Sequence, residues 1–117
     1  MLVGPLKELA AFIGNGDGTF QPPTFIYARP FPVQVAAGQL NSDGNMDLAV
    51  TNFMTSQGPG RVSLQAGNGD GTFSTGVVIP LQANPNAIAA RDFNHDHKTD
   101  LVVADYNVAA VLILLHL

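Results

Sequence analysis

The sequence contains no cysteine, very little basic charge and a single glutamate, Glu8. Without cysteine the chain forms neither disulfides nor a thiolate metal site, although this leaves the redox compartment undecided. Five lysines and arginines stand against nine acidic residues, and the basic residues are scattered along the chain. Nucleic-acid binding needs a clustered positive surface, so this class of function is not expected.

Long hydrophobic runs are also lacking. The apolar run from Val108 to Leu117 has about half the length that a membrane-spanning helix requires, and we interpret it as a buried strand. Lys7 and Glu8 interrupt the apolar stretch from Met1 to Ile13, and no basic segment precedes it, so no signal peptide is predicted. Apolar residues make up 46% of the chain and charged residues 12%, which indicates a folded domain and not a disordered segment.

What the sequence does contain is an internal repeat. The heptapeptide GNGDGTF occurs at Gly14–Phe20 and, 53 residues later, at Gly67–Phe73. The same repeat offset aligns Pro32 with Pro85, Ala36 with Ala89, Asn41 with Asn94, Asp43 with Asp96, Asp47 with Asp100, Leu48 with Leu101 and Val50 with Val103. A period near fifty residues is typical of propeller blades, solenoid units or similar stacked modules.

Short runs of β-branched and apolar residues, bounded by Gly, Asn, Asp or Pro, predict four strands per period. The complete set is Val33–Gln39, Asp47–Asn52, Arg61–Gln65 and Phe73–Ile79. Partial sets before and after it are Leu9–Ile13, Phe20–Tyr27, Ala87–Phe93, Asp100–Tyr106 and Ala109–Leu115. No stretch has sustained helical periodicity with caps, and Met54–Gly60 is predicted to be an inserted loop.

Two polar loops occupy matching positions in the repeat, at residues 39–47 and 92–100. Each carries oxygen-bearing side chains at positions 1, 3, 5 and 9 and offers a backbone carbonyl at position 7. Calcium takes six to eight oxygen ligands, which such a loop can supply. The predicted ligands are Gln39, Asn41, Asp43, Asn45 and Asp47 in the first loop, and Asp92, Asn94, Asp96, Lys98 and Asp100 in the second.

These loops differ from an EF-hand, which closes with a glutamate at position 12, where this chain has Val50 and Val103. The pattern D-x-N-x-D-G-x-x-D-L before an apolar strand, with a later strand entering GNGDGTF, resembles the FG-GAP or VCBS repeat of integrin-type β-propellers. The resemblance covers Leu9 to Leu115. It implies four-stranded blades whose first two strands flank a calcium loop, in mostly extracellular proteins of adhesion or glycan handling.

We therefore predict an all-β fold of antiparallel propeller blades. One unit spans 1–117, with two strands of a partial blade in 9–31, a complete blade in 32–84 and three strands of a further blade in 85–117. Propellers contain ~4–8 blades, so this array cannot close a ring alone. It is expected to be part of a longer propeller or to assemble with copies of itself, with the strand Phe20–Tyr27 pairing with Ala109–Leu115 of a neighbour.

Both loops depart from the family pattern. Gln39 replaces the opening aspartate of the first loop, which leaves it two carboxylates, whereas the second loop keeps all of them. His97 stands where the first loop has Gly44, at a position that often needs a positive φ. Fewer ligand charges weaken calcium binding, so the second loop is predicted to bind more tightly.

Other interpretations of these residues stay open. The Asn and Asp side chains of the loops can satisfy backbone amides as Asx-turns. Zinc binding by His95 and His97, and acid–base catalysis by paired carboxylates, are less favoured. The GNGDGTF segments are predicted to be hairpin turns whose Asn-Gly and Asp-Gly pairs adopt positive φ, with at most a weak role in cation binding. Phe20 and Phe73 are predicted to anchor the core between blades.

The expected function is that of a calcium-binding scaffold, binding or adhesion module, extracellular or at the cell surface, and not an enzyme. The alternative is a non-catalytic module of a secreted polysaccharide-active enzyme, or a glycan-binding domain. In the second case Phe53 and Tyr106, at equivalent strand ends, are the aromatic residues that would stack on sugars.

Overall fold

The computed structural model describes residues 8–28, 31–41, 43–53, 60–81, 85–105 and 110–114. These residues contain nine strands and no helix, and hence no helix with the length and apolar character needed to cross a bilayer. The strands are β1 (Glu8–Ala11), β2 (Thr24–Tyr27), β3 (Pro32–Gly38), β4 (Asp47–Asn52), β5 (Arg61–Gly67), β6 (Phe73–Pro80), β7 (Pro85–Arg91), β8 (Asp100–Asp105) and β9 (Ala110–Leu114).

The strands form three open antiparallel sheets in chain order. The first sheet is β1-β2, the middle sheet is β3-β4-β5-β6, and the third sheet is β7-β8-β9. The predicted fold class, an all-β array of propeller-type blades, is confirmed. Most strand bounds differ from the predicted ones by one or two residues, whereas β2 begins at Thr24 because Phe20 forms only an isolated bridge with Gly14. Predicted strand ends at Tyr106, Ala109 and Leu115, and residues 54–59 of the predicted loop, lie outside the described residues.

The repeat offset extends to the pairing of individual residues. Pro32 pairs with Asn52 in the middle sheet and Pro85 with Asp105 in the third, and both strand pairs shift register immediately afterwards. Likewise, Arg61 pairs with Pro80 and its counterpart Glu8 pairs with Tyr27. The bridge between Gly14 and Phe20 matches the pair Gly67 and Phe73. The first and third sheets are therefore partial copies of the middle sheet, and the third also repeats its register shift at the start of the first strand.

The main apolar core lies between the middle and third sheets. Paired residues of an antiparallel sheet share a face, so Ala49 with Leu64 and Val62 with Ile79 form one face of the middle sheet. This face packs on the third sheet around a buried cluster that consists of Ala49, Val62, Leu81, Leu101 and Val103, with Leu40, Leu64, Ile79, Ile88 and Ala90 packed against it.

The opposite face of the middle sheet is turned to the first sheet. Leu9 and Ile26 of the first sheet line a cavity of about 310 Å³ together with Val35 and Leu48 of the middle sheet. A buried polar contact joins the same two sheets, since Asn52 donates from Nδ2 to the carbonyl of Ala28 at 2.7 Å. In turn Ser63 donates its hydroxyl to Oδ1 of Asn52 at 2.6 Å.

The expectation that Phe20 anchors the core is wrong. Its side chain is 64% exposed, and its ring meets that of Phe12 edge to face with centroids 6.4 Å apart. Phe12 is itself 56% exposed. Phe73 is half-buried and lines the cavity between the first and middle sheets. The two phenylalanines differ because Phe73 has the first sheet beside it, whereas the side chain of Phe20 stays exposed to solvent.

Gly67, at the end of β5, and Gly14, its counterpart at the repeat offset, provide a matched test of this packing. A Cβ on Gly67 would lie 1.8 Å from the carbonyl oxygen of Met46, whereas one on Gly14 meets only Phe20 at 3.9 Å. We predict that Gly67→Ala lowers the free energy of unfolding by about 1–3 kcal/mol through overpacking against backbone. Gly14→Ala should change it by less than about 0.5 kcal/mol. Urea unfolding of both variants checks this, and equal effects would contradict the packing described here.

Candidate metal centre

The second loop brings its three aspartates together. One carboxylate oxygen each from Asp92, Asp96 and Asp100 lies within 4.8 Å of the others. Asp92 directly follows β7 and Asp100 begins β8, so the two neighbouring strands hold the outer members of the group. Asp96 is exposed at the tip of the loop, whereas Asp100 is buried.

Backbone amides of the same loop hold these carboxylates in place. His97 donates its N–H to Oδ2 of Asp92 at 2.8 Å, and Asp96 donates to Oδ1 of Asp92 at 3.2 Å. Lys98 donates to Oδ1 of Asp96 at 2.9 Å. Phe93 donates to Oδ2 of Asp100 at 3.0 Å. The expected Asx-type hydrogen bonds therefore exist, and they orient the carboxylates.

The electrostatics of Asp92 reflect this arrangement. Burial is the largest single influence and raises the pKa of its carboxyl group. Backbone hydrogen bonds from His97, Asp96, His95 and Asn94 oppose it and together bring the pKa below its ordinary value of 3.8. The side chain is therefore ionised at neutral pH, as a metal ligand must be.

The turn of the second loop has the predicted left-handed backbone. His97 adopts φ +66°, and its counterpart Gly44 adopts φ +80°. His95 also has a positive φ of 61°. A histidine with positive φ has a steric energy cost that glycine avoids. The two loops therefore share one backbone conformation, which is more strained at His97 than at Gly44.

The first loop is tied to the sheet through Asp47, which is 2% exposed. Leu40 and Asn41 donate their backbone N–H groups to its Oδ2 at 2.9 and 3.1 Å. Gly67, at the end of β5, donates to its Oδ1 at 2.8 Å. This contact between the loop and the GNGDGTF segment was not anticipated from the sequence, because Asp47 and Gly67 are distant in the chain and no local pattern connects them.

The other predicted ligands of the first loop are at or near the surface. Asn41 Oδ1 accepts the N–H of Asp43 at 3.2 Å, and Asp43 Oδ1 accepts that of Asn45 at 2.9 Å. Gln39 is exposed and Asn45 is half-buried. With two aspartates in place of three, this loop has less negative charge than the second.

A cleft of about 670 Å³ separates the two loops. Gln39, Asn41, Gly44 and Met46 line it from the first loop and His97, Lys98 and Thr99 from the second, with Ala37, Gly38 and Ala90 from β3 and β7 at its base. His95 is not among the lining residues, and His97 therefore faces a different environment from it. The geometry does not group these histidines as a zinc site, because the described cluster of possible ligands consists of aspartates.

The two GNGDGTF segments fold alike, as closed turns. Asn15 donates its N–H to the carbonyl of Thr19 at 2.9 Å, and Asn68 donates to Thr72 at 3.0 Å. The four glycines that follow Asn or Asp have φ between +86° and +94°, which confirms the predicted turn chemistry; they are Gly16, Gly18, Gly69 and Gly71. Their aspartates are used inside the turn, because Thr19 donates its hydroxyl and its N–H to Asp17, and Thr72 does the same to Asp70.

Comparison with known families supports the resemblance over part of the chain. Residues 51–103 match the model of the FG-GAP-like repeat. The match begins in β4, includes the second loop and ends in β8, so it covers less than half of the chain. No curated protein and no solved structure matched. The fold is an open array of propeller-type sheets, and residues 51–103 of this array are similar to the FG-GAP-like repeat.

Exchange of the turn residues between loops tests the backbone strain at His97. Glycine adopts φ near +66° without the Cβ penalty, so His97→Gly should raise the free energy of unfolding by about 1 kcal/mol. The reciprocal change Gly44→His should lower it by about 1–2 kcal/mol. Chemical denaturation of both variants without added metal measures the effects. Destabilisation by His97→Gly would show that the histidine side chain contributes more than its backbone costs.

The turn aspartates allow a test by pH. The Thr72 side chain, followed by its backbone N–H, lowers the pKa of Asp70 below the ordinary 3.8. Because folding lowers this pKa, the stabilisation is complete above about pH 3.8 and is lost as pH falls through the lowered value. Thr72→Val should raise the pKa of Asp70 part of the way back while that of Asp17 stays unchanged, and Thr19→Val should do the reverse. NMR titration of the carboxyl carbons checks this, and an unmoved Asp70 would exclude the hydroxyl as the cause.

Proposed function

We propose that the chain is a calcium-stabilised binding or scaffold module, with the ion held by the second loop. The observation that carries the proposal is the convergence of Asp92, Asp96 and Asp100 within 4.8 Å. Calcium–oxygen bonds are about 2.3–2.6 Å long, so two ligands of one ion lie at most about 5 Å apart. Three hard oxygen ligands at this spacing suit one calcium ion.

The chemistry of the neighbouring groups agrees with this fit. Asn94 supplies a further side-chain oxygen and Lys98 a backbone carbonyl at the positions that complete an oxygen-only ligand set. Without a cation, the three carboxylates repel one another at close range. The ion would supply positive charge that relieves this repulsion, and a ligand that binds only the folded state stabilises it by mass action.

The first loop is proposed as a second, weaker calcium site. Its predicted ligands remain Gln39, Asn41, Asp43, Asn45 and Asp47. Only two of them are carboxylates, and the buried Asp47 already accepts backbone hydrogen bonds on both oxygens. Lower ligand charge corresponds to weaker binding, so this site should fill at higher calcium concentration than the second.

The proposed role is structural support of a binding surface and not catalysis, with adhesion as the class of process. We propose an extracellular or cell-surface location, where calcium is abundant enough to fill sites of this kind. The FG-GAP-like match supports both statements at the level of the family only. The alternative of sugar stacking has one described aromatic residue, Phe53, which is 47% exposed at the end of β4, whereas Tyr106 lies outside the described residues.

Calcium should raise the thermal stability of the chain. At a free concentration 100 times its dissociation constant, one site adds about 2.7 kcal/mol to the free energy of unfolding, which corresponds to a rise of several degrees in melting temperature. Asp96→Asn keeps an acceptor for the amide of Lys98 but removes a ligand charge, so it should abolish most of the calcium-dependent rise with little change in the metal-free melt. The double variant Asp96→Ala, Asp100→Ala should abolish it as well.

Asp70→Asn is the matched control, because Asp70 is an exposed aspartate in a turn outside both loops. It should leave the calcium-dependent rise intact. Thermal melts with calcium, with magnesium and with chelator, together with calcium titration calorimetry, provide the measurement. Melting temperatures that are identical with calcium and with chelator would overturn the proposed metal site.

A further inference from the structure

The chain buries the same kind of sheet interface twice. Leu9 and Ile26 of the first sheet face Val35 and Leu48 of the middle sheet. Their counterparts at the repeat offset are Val62 and Ile79, which pack in the core with Ile88 and Leu101 of the third sheet. The middle sheet therefore turns one face toward the first sheet and the other toward the third, and the two interfaces use equivalent faces in a head-to-tail order.

The outer face of the first sheet exposes aromatic residues. Phe25 is 65% exposed and Tyr27 48% exposed, on the side of β2 opposite the buried Ile26. Ala10 pairs with Phe25 and shares this face. With Phe12 and Phe20 nearby, these residues form the aromatic face, defined as Ala10, Phe12, Phe20, Phe25 and Tyr27.

The outer face of the third sheet carries small apolar residues. Ala87 pairs with Ala104 and Ala89 pairs with Val102, so these four side chains share the side opposite the core residues Ile88 and Val103. Ala87 and Ala89 are exposed, and Val102 and Ala104 are half-buried. We call these four residues the alanine face, and the exposed Arg91 lies on the same side at the end of β7.

Both outer faces have apolar residues at positions where the middle sheet has polar ones. At the positions of Phe12, Ala10 and Phe25, the middle sheet has Gln65, Ser63 and Val78. Ser63 and Gln65 are 1% exposed there, and Nε2 of Gln65 has no hydrogen-bond partner.

The alanine face differs in polarity from its own counterpart at two of its four positions. Where the third sheet has Ala104 and Ala87, the middle sheet has Thr51 and Gln34. On the aromatic face, exposed Ala10 and Phe12 thus stand where the middle sheet buries Ser63 and Gln65, which is the reverse of what solvent exposure favours. On the alanine face, half-buried Ala104 stands where the middle sheet buries Thr51. Contiguous exposed apolar surface of this kind marks an interaction site.

We propose that the aromatic face of one chain packs on the alanine face of a second copy of this chain. The contact continues the head-to-tail order of the two internal interfaces, and large aromatic side chains oppose a surface of small ones, as close packing requires. A heterologous contact of this kind adds further copies until the assembly closes into a ring. Two copies place six sheets in a ring, within the ~4–8 blades of known propellers. In this contact the sheets pack face to face. It therefore differs from the predicted edge pairing of the strand Phe20–Tyr27 with Ala109–Leu115 of a neighbour.

Sedimentation velocity across a concentration series of the intact chain tests this contact. We expect dimers that dissociate on dilution. Phe25→Asp and Ala89→Glu each place a charge on one of the two faces, and each should raise the dissociation constant roughly 30-fold or more while circular dichroism stays unchanged. Val77→Asp is the matched control, because Val77 is a strand residue with 64% exposure that belongs to neither face, and its dissociation constant should stay within about twofold of the parent chain.

Mixing the two charged variants makes the test specific for a head-to-tail contact. A Phe25→Asp chain retains its alanine face, and an Ala89→Glu chain retains its aromatic face, so one intact junction can form between them. An equimolar mixture should form dimers with weaker affinity than the parent chain but with higher affinity than either variant alone. A contact between two aromatic faces would give no such rescue and would overturn the proposal. A parent chain that remains a folded monomer at all concentrations would overturn it too.

Discussion

The described structure depends on an aspartate that begins the second strand of a period and accepts backbone hydrogen bonds from the loop before it. Asp47 receives N–H groups from Leu40, Asn41 and Gly67, and Asp100 receives that of Phe93. A buried carboxylate is tolerated because these donors replace its lost hydration. The same contacts fix the loop against the sheet, and the loop in turn positions the carboxylates that form the candidate metal centre.

Polar and apolar residues have different roles in the loops and in the strands. Asn, Asp and Gly form the loops and turns, where their backbone conformations and side-chain acceptors are used locally. Alternating strand residues supply two apolar faces per sheet, and each face is buried only when another sheet lies beside it. The internal interfaces combine apolar packing with Asn52 and Ser63, whereas the outer faces expose mainly apolar side chains, with Arg91 at the end of the alanine face.

Much of the fold and of the candidate metal centre could be predicted from the repeat offset. It located the strands within one or two residues in most cases, paired the two loops, and identified the position where Gly44 and His97 share a positive φ. It did not reveal the contact between Asp47 and Gly67, since nothing in a local pattern brings a loop to the end of a strand twenty residues on. The expectation for Phe20 was wrong for a related reason. Equivalence with Phe73 predicts the same backbone but not the same neighbour.

The sequence by itself determined the period, the strand and turn positions, and the spacing of oxygen ligands, because these follow from local backbone preferences and side-chain alternation. Only the tertiary structure decided which faces are covered, which aspartates are buried, and that Asp92, Asp96 and Asp100 approach within 4.8 Å. Burial and convergence depend on neighbours from other strands. Repeated sequence thus specifies the shape of each unit, and its place in the stack specifies what that unit contacts.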